Sequence, residues 1–167
     1  RQRITPEGRQ EELYEQIDRS RVPVERVLAA DGARLTIPLS LPDRTVLVEA
    51  WRVRVGRTTL YLLDTDLDEN APWDRELTAR LYGGDHTVRL LQEIVLGVGG
   101  VRLLRALDLE PAVWHGNEGH TGFMMLERAR EAIARGQSFE QAVAEVRAAT
   151  LFTTHTPVPA GHDAFPM

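Results

Sequence analysis

The chain has 167 residues, 43% of them hydrophobic and 27% charged, and a formal net charge of −5. That length supports one sizeable core or part of a larger domain, and the composition is that of an ordinary globular protein. The acidic balance without a basic cluster disfavours a nucleic-acid partner, the lack of cysteine removes disulfides and thiolate chemistry, and no apolar run approaches the roughly 20 residues that cross a bilayer.

The opening sets Arg1, Arg3 and Arg9 against Glu7, Glu11, Glu12 and Glu15, the balance of a solvated face, and has no apolar signal core. Its first residue is not methionine, which points to a fragment. A helix is expected around Glu11–Asp18 and an extended stretch near Val22–Leu28, followed by a turn at Asp31-Gly32. Leu35, Ile37, Leu39 and Leu41 then alternate with Thr36, Pro38 and Ser40, the period of a half-buried strand. Pro38 cannot donate to a ladder, so the strand belongs at an edge. A second strand over Val46–Val55 places Trp51, Val53 and Val55 on one face and Arg52 and Arg54 on the other. After Gly56-Arg57, a third covers Thr58–Leu63. Residues 35–64 thus read as an antiparallel meander.

The stretch from Asp64 to Asp85 is polar and long, with Asn70, Pro72 and Gly83-Gly84; loops of that length are often functional. From Asp85 the period becomes helical, with stripes at Leu90, Ile94, Val101 and Leu104 and at Val88, Leu91, Val95 and Val98, so this helix is buried on two faces. A short buried strand is expected at Pro111–His115. A helix then runs from about Gly119 to Arg135, with Phe123, Leu126 and Ile133 inward, a Glu131–Arg135 pair and Gly136 as its cap. Ser138-Phe-Glu-Gln141 is a capping box, opening a helix with Phe139, Ala142, Val143 and Val146 on one face. The strand Thr150–Thr154 closes the pattern. Strands separated by helices imply a parallel sheet with crossovers, and an α/β fold.

Two strands therefore end in polar, turn-forming residues, at His115-Gly-Asn117-Glu118-Gly-His120 and at His155-Thr-Pro157. Ligands of open α/β sheets bind at such carboxyl ends. Gly97-Val-Gly99-Gly100 sits inside a helical pattern without the remaining residues of a phosphate loop, and reads as close helix packing. Tyr82-Gly-Gly-Asp85 precedes a helix that Asp85 can cap. His115, His120, His155 and His162, with Glu118 or Asp163, lack the spacing of a helical zinc motif, and no metal is assigned. Asn117 and Glu118 suit a helix N-terminus structurally, and equally a ligand held there. Arg89 and Glu93 have the spacing of a helical ion pair.

Several long stretches, taken together, resemble the α-glucan phosphorylases (glycogen, starch and maltodextrin phosphorylases), in their compact bacterial and archaeal branch. They are Leu62-Leu-Asp64-Thr-Asp66, Leu81-Tyr-Gly-Gly-Asp85, Arg89 through Arg102, His115 through His120 and Phe152 through Asp163. The resemblance covers nearly the whole chain in register. It implies an internal piece of the N-terminal domain of a two-domain, GT-B-type glycosyltransferase. That piece is a partial Rossmann-like domain with an antiparallel insert, divided as residues 1–84 and 85–167, with the C-terminal cofactor domain absent.

The family transfers a terminal α-1,4-linked glucose to orthophosphate, giving glucose 1-phosphate. It uses pyridoxal phosphate on a lysine for which this chain has no matching motif. By resemblance, His155 supplies a main-chain carbonyl to a glucose hydroxyl, and His120, Asn117 and Glu118 form the loop beside the glucose pocket. The Asn-Glu-Gly-His sequence departs from the Asn-Asp-Thr-His of larger phosphorylases, which leaves the side-chain roles of that loop open. No catalytic residue is assigned within the chain, which is expected to be inactive alone. The expected partners are α-1,4-glucan, orthophosphate and glucose 1-phosphate, with no membrane or nucleic acid, a cytoplasmic location and room for a homo-oligomeric parent. Two further readings stay open: a carbohydrate-binding or structural segment, and a glycogen-synthase-like transferase using a sugar nucleotide.

Overall fold

A computed structural model describes residues 2–12, 17–80 and 85–155. Two short strands, β1 (Gln2–Ile4) and β2 (Gln10–Glu12), form an antiparallel hairpin. The helix expected around Glu11–Asp18 is thus a strand at its start, while residues 13–16 lie outside the described set. Arg3 opposite Glu11 explains the change, because cross-strand opposite charges support a hairpin.

The main sheet is antiparallel and contains β3 (Glu25–Arg26), β4 (Thr36–Ser40), β5 (Thr45–Val55) and β6 (Thr58–Asp64). β5 is central, with β4 and β3 along one edge and β6 along the other. Pro38 lies opposite Leu47 on the outer strand β4, as its missing N–H requires.

Alternation along β5 is as expected, but the core lies under Val46, Val48 and Ala50 rather than under the row of Trp51, Val53 and Val55. Trp51 instead meets two guanidiniums, Arg19 at 4.9 Å and Arg26 at 4.8 Å from its ring centre, and its Nε1 donates to Asp64 at 3.1 Å. An indole so placed gains cation–π attraction from two guanidiniums, which suits a sheet surface.

The long polar connection is mainly structural. Asn70 is buried and covers the edge of β5 where β6 does not reach: its Oδ1 accepts from Leu47 N at 2.9 Å and its Nδ2 donates to Leu47 O at 2.7 Å. One turn of helix follows, α1 (Pro72–Arg75), with proline at its start, where a missing N–H costs nothing. Its Asp74 is buried and receives Arg44 through Nε and Nη2, both at 2.9 Å.

The next helix runs as α2 (His86–Ile94), a π-turn over Val95–Gly99, and α3 (Gly100–Ala106). Asp85 caps it by accepting from Thr87 N and Val88 N at 3.0 Å, while the expected turn at Tyr82-Gly83-Gly84 lies outside the described residues. Val95 and Leu103 pack with Val27, Ile37, Leu39, Val48 and Ala50 in one cluster. Gly97 faces α4 (Gly122–Ala134) so closely that a Cβ there would lie 2.6 Å from Met124 N, which bears out the packing role expected of this glycine.

The parallel pair consists of β7 (Trp114–Asn117) and β8 (Thr150–Thr153), joined through α4 and α5 (Phe139–Ala148). The strand expected at Pro111–His115 starts at Trp114, where pairing with Thr150 begins. Gly136 takes φ 98° after α4, and Ser138 with Gln141 forms the full capping box of α5.

The buried stripe of α4 is a correction. Leu126 and Ile133 are exposed, and the inward residues are Met124, Glu127, Arg128 and Ala132. Periodicity misses this stripe because its charges are paired. Glu127 is held by Arg102 and Arg130, both at 2.8 Å, and Arg128 lies over Trp114 and donates to Thr150 Oγ1 at 2.7 Å. The expected Glu131–Arg135 pair is replaced by bonds to other helices, Glu131 with Arg105 and Arg135 with Glu145. On α5, Ala142 and Val146 are buried, whereas Phe139 and Val143 are exposed.

Candidate functional site at the ends of the parallel strands

β7 and β8 run in register, so their last residues, Asn117 and Thr153, finish side by side. Asn117 is exposed and caps no helix. Between it and α4 lie Glu118 and a short 3₁₀ turn over Gly119–Thr121, and Thr121 occupies the capping position of α4. The register of β7 uses Asn117 as a strand residue, which overrides its N-cap preference.

Glu118 dominates the geometry. Its backbone adopts φ 62° and ψ 177°, a region that costs a side-chain-bearing residue on the order of 1–3 kcal/mol. Its N–H donates to Thr153 O at 2.8 Å, and its carbonyl accepts from Thr121 Oγ1 at 3.0 Å. The side chain, only 3% exposed, crosses to the end of β8. There Oε1 accepts from the His155 main-chain N–H at 2.8 Å and lies 3.2 Å from His155 Nδ1, while Oε2 accepts from Thr154 Oγ1 at 3.3 Å. The carboxylate thus meets the first amides and hydroxyls beyond the strand ladder, where a charged acceptor is roughly twice as strong as a neutral one.

The His155 imidazole is 62% exposed, with Nδ1 beside Glu118, so the carboxylate meets both its main chain and one edge of its ring. His120 turns the other way. It lines an open groove of about 760 Å³ whose walls are largely apolar, among them Leu63, Leu77, Val101 and Met124. Its Nδ1 lies 4.0 Å from the buried Glu93 of α2.

Of the four expected residues, Glu118 and His155 come into contact, Asn117 ends the neighbouring strand, and His120, two residues after Glu118, lies in the groove. Two participants were missed in the sequence: Thr154, beside His155, and Glu93, which had been matched only to Arg89. An acid one turn before a run of glycines, in a helix expected to be buried on two faces, was the available signal for Glu93. His115 Nε2 lies 2.6 Å from Thr153 Oγ1 across the pair. The remainder of the loop, including Pro157, His162 and Asp163, lies outside the described residues.

No protein-family model matches the chain. Individual relatives do. Maltodextrin phosphorylase of Thermococcus litoralis is 44% identical over 167 residues, all of this chain and 20% of its own length. Glycogen phosphorylase of Mycobacterium tuberculosis is 44% identical, again across the whole chain and 20% of its own. Glycogen phosphorylase of Aquifex aeolicus is 40% identical over 99% of the chain and 24% of its own. The chain therefore spans about a fifth to a quarter of the length of these relatives.

Proposed function

The chain belongs to the α-glucan phosphorylase family as a segment of it, and on that premise we propose that it forms the sugar-positioning part of an α-1,4-glucan phosphorylase. The complete protein transfers a terminal glucose of α-1,4-glucan to orthophosphate and releases glucose 1-phosphate. Its architecture is of the two-domain GT-B type, in which residues 85–167 contribute the Rossmann-like portion and residues 1–84 an N-terminal portion whose antiparallel meander, at about 35–64, is the insert. Its location is cytoplasmic.

The observation that carries this reading is identity at 40–44% across essentially the whole chain, joined to strand ends where charge and main chain are held in fixed geometry. The His155 carbonyl accepts a hydrogen bond from a glucose hydroxyl, an orienting and electrostatic contribution made by a group that needs no reorganisation. Pyridoxal phosphate, where the complete protein holds it, would supply proton exchange with the substrate phosphate. None of the 167 residues is a lysine, all 20 cationic side chains being arginine, so the chain offers that cofactor no Schiff-base partner. The role of these residues is confined to the sugar.

Phosphate-dependent release of glucose 1-phosphate from maltodextrin tests the proposal. The full-length protein is expected to turn over and the 167-residue chain to give only the blank rate. A full-length protein without phosphorolysis overturns the assignment, and turnover by the short chain overturns the division of labour.

A further inference from the structure

We propose that Glu118 is a positioning residue for the sugar site, acting through its carboxylate on the main chain at Thr154–His155. This rests on the phosphorylase reading above and adds to it the group that aims the His155 carbonyl.

Glu118 meets the requirements of a clamp. A parallel ladder ends at Thr153, so the His155 amide has no strand partner, and a free amide would leave the Thr154–His155 peptide, from which the His155 carbonyl takes its position, free to rotate. Glu118 Oε1 takes that amide at 2.8 Å and Oε2 takes the adjacent hydroxyl at 3.3 Å. The base of the clamp is itself held at both ends, by Glu118 N–H on Thr153 O and Thr121 Oγ1 on Glu118 O. Both carboxylate oxygens engage the chain at Thr154–His155 in a nearly buried setting, so the action of Glu118 is on that main chain.

Stability alone does not account for the arrangement. A glycine would adopt φ 62° without strain, and a buried carboxylate must lose its hydration. Strain and desolvation retained together at one residue mark a position kept for what its side chain orients.

The backbone geometry supplies the experiment, made in the full-length protein. Glu118→Gly relieves the strained φ and removes the clamp, so melting temperature is held or raised while the KM for glucose 1-phosphate rises about tenfold, the scale of one lost charge-assisted bond. The KM for orthophosphate stays unchanged. Glu118→Gln, which keeps an acceptor of similar reach, recovers part of the loss. Independently of activity, amide exchange at His155 accelerates in Glu118→Gly while the amides of β7 and β8 keep their protection. An unchanged glucose 1-phosphate KM, or an equal rise for both substrates, overturns the proposal. So does an unaltered His155 exchange rate. If the unmodified protein lacks phosphorolysis but His155 exchange responds, the proposed activity fails and the clamp stands as a structural device without a sugar.

Discussion

In the antiparallel sheet, β5 runs for 11 residues and its edges are covered by β4, β3, β6 and the side chain of Asn70. In the parallel pair, four residues face four, and the amide beyond them is met by Glu118. The first region satisfies its backbone through neighbours linked by short turns. The second needs two helices to bring its strands together, and completes its ends with charge. Their buried acids differ in the same sense. Burial pushes the Glu49 carboxyl up, and Arg26 only partly counters it. Burial also raises Glu127, but the Arg130 and Arg102 guanidiniums more than offset that and hold it below the usual carboxylate range. Packing thus decides the sheet, and paired charge decides the crossover.

The sharpest way to break this contrast is at Gly97, where the crossover helix meets the helix lying on the sheet. Gly97→Ala sets a methyl against the backbone of Met124 and should cost about 1–3 kcal/mol in urea unfolding. Gly99→Ala, whose nearest neighbours would be 3.6 Å away, should be neutral or stabilise by up to about 1 kcal/mol. Equal losses at both would remove the claim of close approach.

The buried acids give the next effect. A lowered pKa means that Glu127 stabilises the fold above its unfolded value and that this contribution is lost as pH falls through the folded one. A raised pKa at Glu49 has the opposite sign, stability falling as pH rises from the unfolded value through the folded one. Glu127→Gln should therefore cost about 1.5 kcal/mol at pH 7 and flatten the loss of stability toward acid pH. Glu49→Gln should remove an opposing gain over the same range. Parallel pH profiles for the two variants would erase the distinction. The smallest effect is local: Ser138→Ala should cost about 1 kcal/mol through loss of the capping box, read from the melting midpoint.

Much of the frame was legible in the sequence because it depends on local rules. The alternation of residues 35–64, the place of Pro38 at an edge, the Asp85 and Ser138 caps and Gly136 all follow from short-range stereochemistry. The inward face of α4 was not legible. Leu126 looks buried by hydropathy, and Glu127 and Arg128 look exposed until their partners on α3, β7 and β8 are in place. At the strand ends the sequence marked Asn117, Glu118, His120 and His155 as a group, with Asn117 as an N-cap. It could not indicate that the Glu118 carboxylate binds main chain, because that bond depends on the register of two strands far apart in sequence.

One side chain belongs to both regions. Arg102 donates from Nη1 to the Pro38 carbonyl on β4 at 2.8 Å and from Nε to Glu127 on α4 at 2.8 Å. Separating the crossover helix from α3 breaks the Glu127 bonds of this guanidinium, and peeling β4 from α3 breaks its bond to Pro38. Local openings of the two regions thus meet at one planar group, whose Nε, Nη1 and Nη2 all donate across the junction, so that a loss on either side frees donors the other side had helped to orient.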